Sequence, residues 1–279
     1  MTRFQIRLML VIAVAFGLSS TVFAQMLGPQ ADELAKARQK GINYLKSSQA
    51  AGGHWTSPDA AGISGLVTYS LLMSGVPTDD AVVDKALKHL LSFVQPDGGI
   101  YSPKSGQANY ETSLAVMCLH AANKEGKYTE TIAKADKYLR KLQWDESESI
   151  DKSDLKYGGA GYGRGGDRPD MSNTVFFLDA LEAAGATKED PAVQKAIVFL
   201  SRCQNLETEH NTTKFASLVN DGGFIYTPVA GGNSPAGNTP NGGLRSYGAM
   251  TYAGLKSMIY AGLTPQDPRV KAAIEWITR

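Results

Sequence analysis

The stretch "KGINYLKSSQAAGGHW", Lys40 to Trp55, joins the two patterns that decide the fold. Its first half sets Tyr44 and Leu45 among lysines, as a helix with one apolar face would. Its second half runs through Gln49 to two glycines and a tryptophan, the composition of a sharp turn. The combination recurs. Lys134-Ala135-x2-Tyr138-Leu139-x3-Gln143 and Lys195-Ala196-x2-Phe199-Leu200-x3-Gln204 share the frame, and Lys85-Ala86-x2-His89-Leu90-x4-Gln95 reads as a copy one residue longer. Glycines and an aromatic follow each: Gly53-His54-Trp55, Gly98-Gly99-Ile100-Tyr101, Gly158 to Tyr162, and Asp221-Gly222-Gly223-Phe224. The glutamines lie 46, 48 and 61 residues apart, a period that marks a repeat architecture.

A second kind of helical segment follows each turn. "AAGISGLVTYSLLMSGVP", Ala60 to Pro77, carries no charge, and "TSLAVMCLHAAN", Thr112 to Asn123, has only His120. "SYGAMTYAGLKSMIY", Ser246 to Tyr260, has only Lys256, and "MSNTVFFLDALEAAG", Met171 to Gly185, is uncharged until Asp179. Helices apolar nearly all round are buried on most sides, whereas the glutamine-bearing helices carry charges on a face that meets water. Thr78-Asp79-Asp80, Asp190-Pro191 and Asp267-Pro268 mark starts of the charged helices. "DDAVVD", Asp79 to Asp84, is accordingly a helix cap rather than a magnesium–diphosphate cluster. The alternation predicts an all-α fold, an α/α toroid with an apolar inner circle wrapped by an amphipathic outer one. Each glutamine is expected to donate to the open carbonyls at its own helix end, with the glycines turning the chain and the aromatic fastening one repeat to the next.

The expected organisation is a signal peptide over 1–24, a linker over 25–31 and the toroid over 32–279. "MTRFQIRLMLVIAVAFGLSSTVFAQ" has Arg3 and Arg7, an apolar run from Leu8 to Leu18, and small residues before Gln25, so cleavage is expected after Ala24. That places the protein in a secreted or periplasmic location, with no membrane span left after cleavage. Four outer–inner hairpins are followed by one more outer helix, "DPRVKAAIEWITR", Asp267 to Arg279, so the toroid is expected to be incomplete at its C-terminus or part of a longer one. With 28 basic against 27 acidic residues, no bulk field favours nucleic acid. Cys118 and Cys203 sit among apolar neighbours and read as buried thiols, with their pairing left open. The four histidines, His54, His89, His120 and His210, form no close set with a cysteine, so neither metal nor cofactor is expected.

The frame Lys-Gly/Ala-x2-aromatic-Leu-x3-Gln followed by Gly-x-Trp resembles the QW repeat of the terpenoid cyclase and protein prenyltransferase superfamily. The likeness is nearest to its secreted prenyltransferase and squalene-oxidase repeat proteins, and covers most of Asp32 to Arg279. The resemblance implies comparison with two chemistries. Protonating cyclases carry a DxDD motif whose middle aspartate is the acid. Here "PDMSNT", Pro169 to Thr174, keeps Asp170 but places Ser172 and Asn173 at the acid pair, and neither can supply that proton. Zinc-dependent prenyl transfer needs Asp, Cys and His ligands, for which no motif is present.

In such a toroid the starts of the inner helices surround one end of a central cavity. Tyr110, Glu111, Asp170, Ser172, Asn173, Arg245 and Tyr247 are therefore expected around a common mouth, with Glu111 and Asp170 the candidates for a catalytic acid. The segment Asn205 to Leu244, dense in Gly, Asn and Pro, leads to this mouth and reads as a functional or disordered loop. "GGAGYGRGG", Gly158 to Gly166, is the third repeat's enlarged turn rather than a phosphate loop, and Asn211-Thr212-Thr213 is a sequon by pattern alone. The leading expectation is a non-cyclising binder of an apolar or mixed small molecule, or of a protein partner. An enzyme acting on an isoprenoid or polysaccharide through other acids, and an envelope scaffold, are the alternatives.

Overall fold

The computed structural model describes residues 28–163 and 168–279. The signal-peptide expectation and the last part of the glycine run after Gly163 lie outside them. Contacts divide the chain into two units, Met1–Asn43 and Tyr44–Arg279. Helix α1, Ala31–Ser47, begins in the first unit. There Asp32 and Glu33 suit the positive end of its dipole, and Lys36 pairs with Asp32 at 3.3 Å on an exposed face.

The second unit holds the remaining helices: α2 (Ala61–Met73), α3 (Ala81–Leu91), α4 (Ala108–Ala121), α5 (Thr129–Arg140), α6 (Met171–Ala183), α7 (Pro191–Cys203), the short α8 (Lys214–Val219), α9 (Gly248–Tyr260) and α10 (Pro268–Ile277). Among the described residues there is no strand, only isolated bridges. The apolar helices α2, α4, α6 and α9 pack each on the next, and α3, α5, α7 and α10 each lie against the apolar helix that precedes them. This is the inner and outer layering of an α/α toroid. Three inner helices end alike. Gly75, Gly185 and Gly262 take φ values of +89°, +97° and +90°, and Val76, Ala186 and Leu263 then donate to Leu71, Leu181 and Met258, closing the open carbonyls.

The repeat junctions show what the recurring residues do. Ala50, Gln95, Trp144 and Asn205 each donate their amide across the turn, to the carbonyls of His54, Gly99, Gly159 and Gly223. That shared bond sets the register: Val94, not Gln95, stands where Gln49, Gln143 and Gln204 stand. The second copy is therefore no longer than the others; it has lost its amide, and Gln95 donates to Phe93 and Tyr101 instead. The expected role of the glutamines is also corrected. Gln49, Gln143 and Gln204 donate not to their own helix end but to the second residue of the next outer helix, Val82 at 2.8 Å, Ala192 at 2.9 Å and Arg269 at 2.8 Å. Each also reaches its own turn, at Gly53, Gly158 or Gly222. The amide sews consecutive repeats together.

Cations and N-caps add a second seam. Asp80, Asp190 and Asp267 cap α3, α7 and α10. Lys46 meets Asp80 at 2.5 Å, and Arg140 grips Asp190 through two bonds of 2.8 and 2.9 Å. At the third seam the cation sits on the other side: Ser201 holds the place of Lys46 and Arg140, and Arg269 bridges it to Asp267. Cys118 and Cys203 are buried free thiols, and burial pushes Cys118 up to about 12.

The segment Asn205 to Leu244, expected to be a functional or disordered loop, is a packed one. It contains α8, buries Phe215, Phe224, Ile225, Val229 and Leu244, and is tied end to end by Asn205 Nδ2 donating to the Leu244 carbonyl. Its glycines and asparagines make tight turns, not slack. Asn211 is buried with its amide bonded to the Gln204 carbonyl.

Candidate functional site

The mouth is built at the N-termini of α4, α6 and α9. Asp170 caps α6: Oδ1 accepts from the Asn173 amide at 2.9 Å, and Oδ2 accepts from Asn173 Nδ2 at 2.8 Å. The packed segment before α9 then brings Tyr226 to this cap. Its carbonyl accepts from Met171 N at 2.8 Å, Thr227 Oγ1 donates to Pro169 O at 2.9 Å, and the Tyr226 hydroxyl bonds to Asp170 and Tyr162. Burial first, and then the Asp170 charge, hold the Tyr226 phenol well above its usual range, and the same two causes push Tyr247 up to about 12. The Arg168 guanidinium lies over the Tyr226 ring, 5.9 Å from its centre. Asp170 thus serves as a buried acceptor surrounded by donors.

Beside this cluster lies a cavity of about 340 Å³ lined by Gln107, Tyr110, Tyr162, Ser172, Asn173 and Phe176. The Tyr110 and Phe176 rings meet edge to face at 5.2 Å and form its apolar wall. Asn173 is 2% exposed, and its Oδ1 is buried without a hydrogen-bond partner. One N–H of its Nδ2 serves Asp170, which leaves the buried oxygen as an acceptor still to be satisfied.

The expected mouth residues therefore divide. Tyr110, Ser172 and Asn173 share the cavity; Asp170 is buried beside it and half-buried Tyr247 stands close enough to feel its charge. Glu111 is not among the lining residues. It is buried against the turn that follows Tyr101, accepting from Ser102 N at 2.7 Å and bonding Ser105, and burial raises its carboxyl despite those bonds. Arg245 is exposed and donates to the Asn238 carbonyl of its own loop at 3.1 Å, so it does not join the mouth. Gln107, Tyr162, Phe176 and Tyr226 escaped the sequence reading. Tyr162 and Tyr226 sit in glycine-flanked turns whose direction no periodicity reveals, whereas Phe176, one helical turn beyond Ser172, carried a usable signal.

Among the described residues no three of His, Cys, Asp and Glu gather as metal ligands, and no helix is long and apolar enough to cross a membrane. No curated protein shows significant similarity to the chain. Among solved structures, type II terpene cyclase MstE from Scytonema without ligand matches with a TM-score of 0.53 and 18% identity. The match covers 90% of this chain and 64% of the cyclase. A variant of MstE in complex with geranylgeranyl dihydroxybenzoate, its substrate, matches equally, with 63% of the cyclase covered. This chain thus spans less than two thirds of the cyclase's length, and at such identity the likeness is one of fold. The squalene-hopene cyclase C-terminal domain family matches residues 56–224, more than half of the chain from the first turn to the fourth. The protein belongs to the squalene-hopene cyclase C-terminal domain family, within the terpenoid cyclase and prenyltransferase superfamily.

Proposed function

We propose that this cyclase-related protein binds, without cyclising, an apolar ligand that carries a hydrogen-bond donor at one end, held at the inner-helix mouth. One observation carries the reading: the buried, unpartnered Asn173 Oδ1 in a cavity whose apolar wall is made by Tyr110 and Phe176. A ligand hydroxyl would satisfy that oxygen, and such a bond is worth about 1 kcal/mol net. An isoprenoid alcohol has the required chemistry, in keeping with the isoprenoid substrate bound by MstE. The proton donor of the cyclases has no counterpart at Ser172 and Asn173, and Asp170 is committed to its cap.

The test is equilibrium binding of geranylgeraniol against the matching hydrocarbon, with products assayed in the same incubations and with glycans as separate substrates. Several-fold preference for the alcohol and no new product are expected, and Tyr110→Ala should weaken binding at least tenfold. Cyclised or hydrolysed product that disappears in Glu111→Gln would establish the alternative, an enzyme with a non-standard acid. That second reading rests on the buried Glu111 carboxyl with its raised proton affinity. Export through residues 1–24 belongs to the same proposal, and a periplasmic or secreted product whose N-terminus is Gln25 would support it.

A further inference from the structure

A larger cleft, about 610 Å³, opens at the other end of the inner layer and shares no lining residue with the mouth. Tyr69 and Met73 of α2, Met117 of α4, Asp179 and Glu182 of α6 and Lys256 of α9 form most of its wall. Ser172 and Asp179 lie on one helix seven residues apart, which separates the two openings by about 10 Å along α6. The volume is in the range of ligand sites, roughly 300–1,000 Å³.

Its charge has a definite sign. Asp179 and Lys256 neutralise one another through two bonds of 2.7 Å, and Glu182, one turn on, has no ion-pair partner among the described residues. The cleft lies where inner helices end, and each helix C-terminus adds about half a negative charge. Besides His120 and two alanines, the remaining wall offers a tyrosine ring and two thioethers, surfaces that accept a poorly hydrated cation and the alkyl chain behind it. We propose that this cleft is a second ligand site, distinct from the mouth, for an amphiphile with a cationic head group such as an alkylammonium. The head lies between Glu182 and the Asp179–Lys256 pair, and the chain runs along Met73 and Met117.

The probes are n-decyltrimethylammonium and n-decyl sulfate, titrated calorimetrically below their micelle concentrations at low salt and pH 8. The cation is expected to bind at least tenfold tighter than the sulfate. Glu182→Gln should weaken the cation at least threefold, and Lys256→Met should tighten it several-fold by freeing Asp179, a gain that mere loss of packing cannot give. Ser172→Ala and Tyr110→Ala should leave it unchanged, which separates this site from the mouth. Equal or stronger sulfate binding, no binding of either probe, or weaker cation binding in Lys256→Met overturns the proposal. Should Lys256→Met fail to fold, with Asp179 left half-buried and unmatched, the exposed Glu182→Gln decides alone.

Discussion

Gly158 shows how much one residue can carry. Its φ of +82° already excludes most side chains, and a Cβ there would strike the Lys195 carbonyl of the next outer helix harder than at any other turn glycine. Gly53, Gly98 and Gly222 face the same constraint against Lys85, Lys134 and Ala272. Gly237 shares the positive φ, +81°, but has nothing within 4 Å. Gly158→Ala should therefore cost about 3 kcal/mol or more, left-handed strain plus overpacking, while Gly237→Ala should cost only about 1–2 kcal/mol from the backbone alone. Urea unfolding of the two variants measures the difference, and equal losses would mean that close packing against the next helix contributes nothing. At this scale the sequence was legible where a residue type has one physical use. Turn glycines and Asp caps were such cases. It misled where the use depends on a neighbour: Gln95 has the right identity in the wrong register, and Arg245 has the right place in the chain but bonds its own loop.

Between elements, the seams are electrostatic as well as packed. Asp190 holds its carboxyl below the usual range chiefly through the Arg140 hydrogen bonds, and Asp80 and Asp267 do so through Lys46 and Arg269. A carboxyl whose folded value is depressed stabilises the fold fully above its unfolded value, about pH 4. That contribution is lost as pH falls through the folded value. The three seams should therefore fail together in acid. Asp190→Asn keeps a competent N-cap but loses the charge, so it should cost about 1 kcal/mol at pH 7, and the deficit should shrink towards zero as pH falls from 5 to 2. Chemical denaturation across that range checks the sign; a deficit that grows in acid would reverse the assignment. Element types and their order were readable because uncharged and amphipathic helices differ in composition. The seam between Ser201, Arg269 and Asp267 was not, because its cation stands on the opposite helix from the other two.

For the unit from Tyr44 to Arg279, the exposed apolar side chains of α2 and α9 are the feature with functional consequence. Leu66 and Met73 share one face of α2 at a spacing of seven, and Tyr252, Lys256 and Ile259 share one face of α9. Met73, Tyr252 and Ile259 are 65%, 60% and 54% exposed, and Leu66 is 38% exposed. Composition predicted that the inner helices would be apolar. It could not say which apolar side chains would be spent on helix packing, as Val116 is, and which would stay open. Open apolar side chains cost little to replace and gain about 25 cal/mol for each Å² that a ligand covers. Leu66→Glu and Tyr252→Lys should therefore shift unfolding stability by no more than about 0.5 kcal/mol. If an isoprenoid chain extends from the mouth along these side chains, each substitution should also lower geranylgeraniol affinity about tenfold, or about 1.4 kcal/mol. Undiminished affinity in both variants would confine the ligand to the Tyr110–Phe176 cavity, whereas lost stability would make these residues part of the fold rather than of the binding surface.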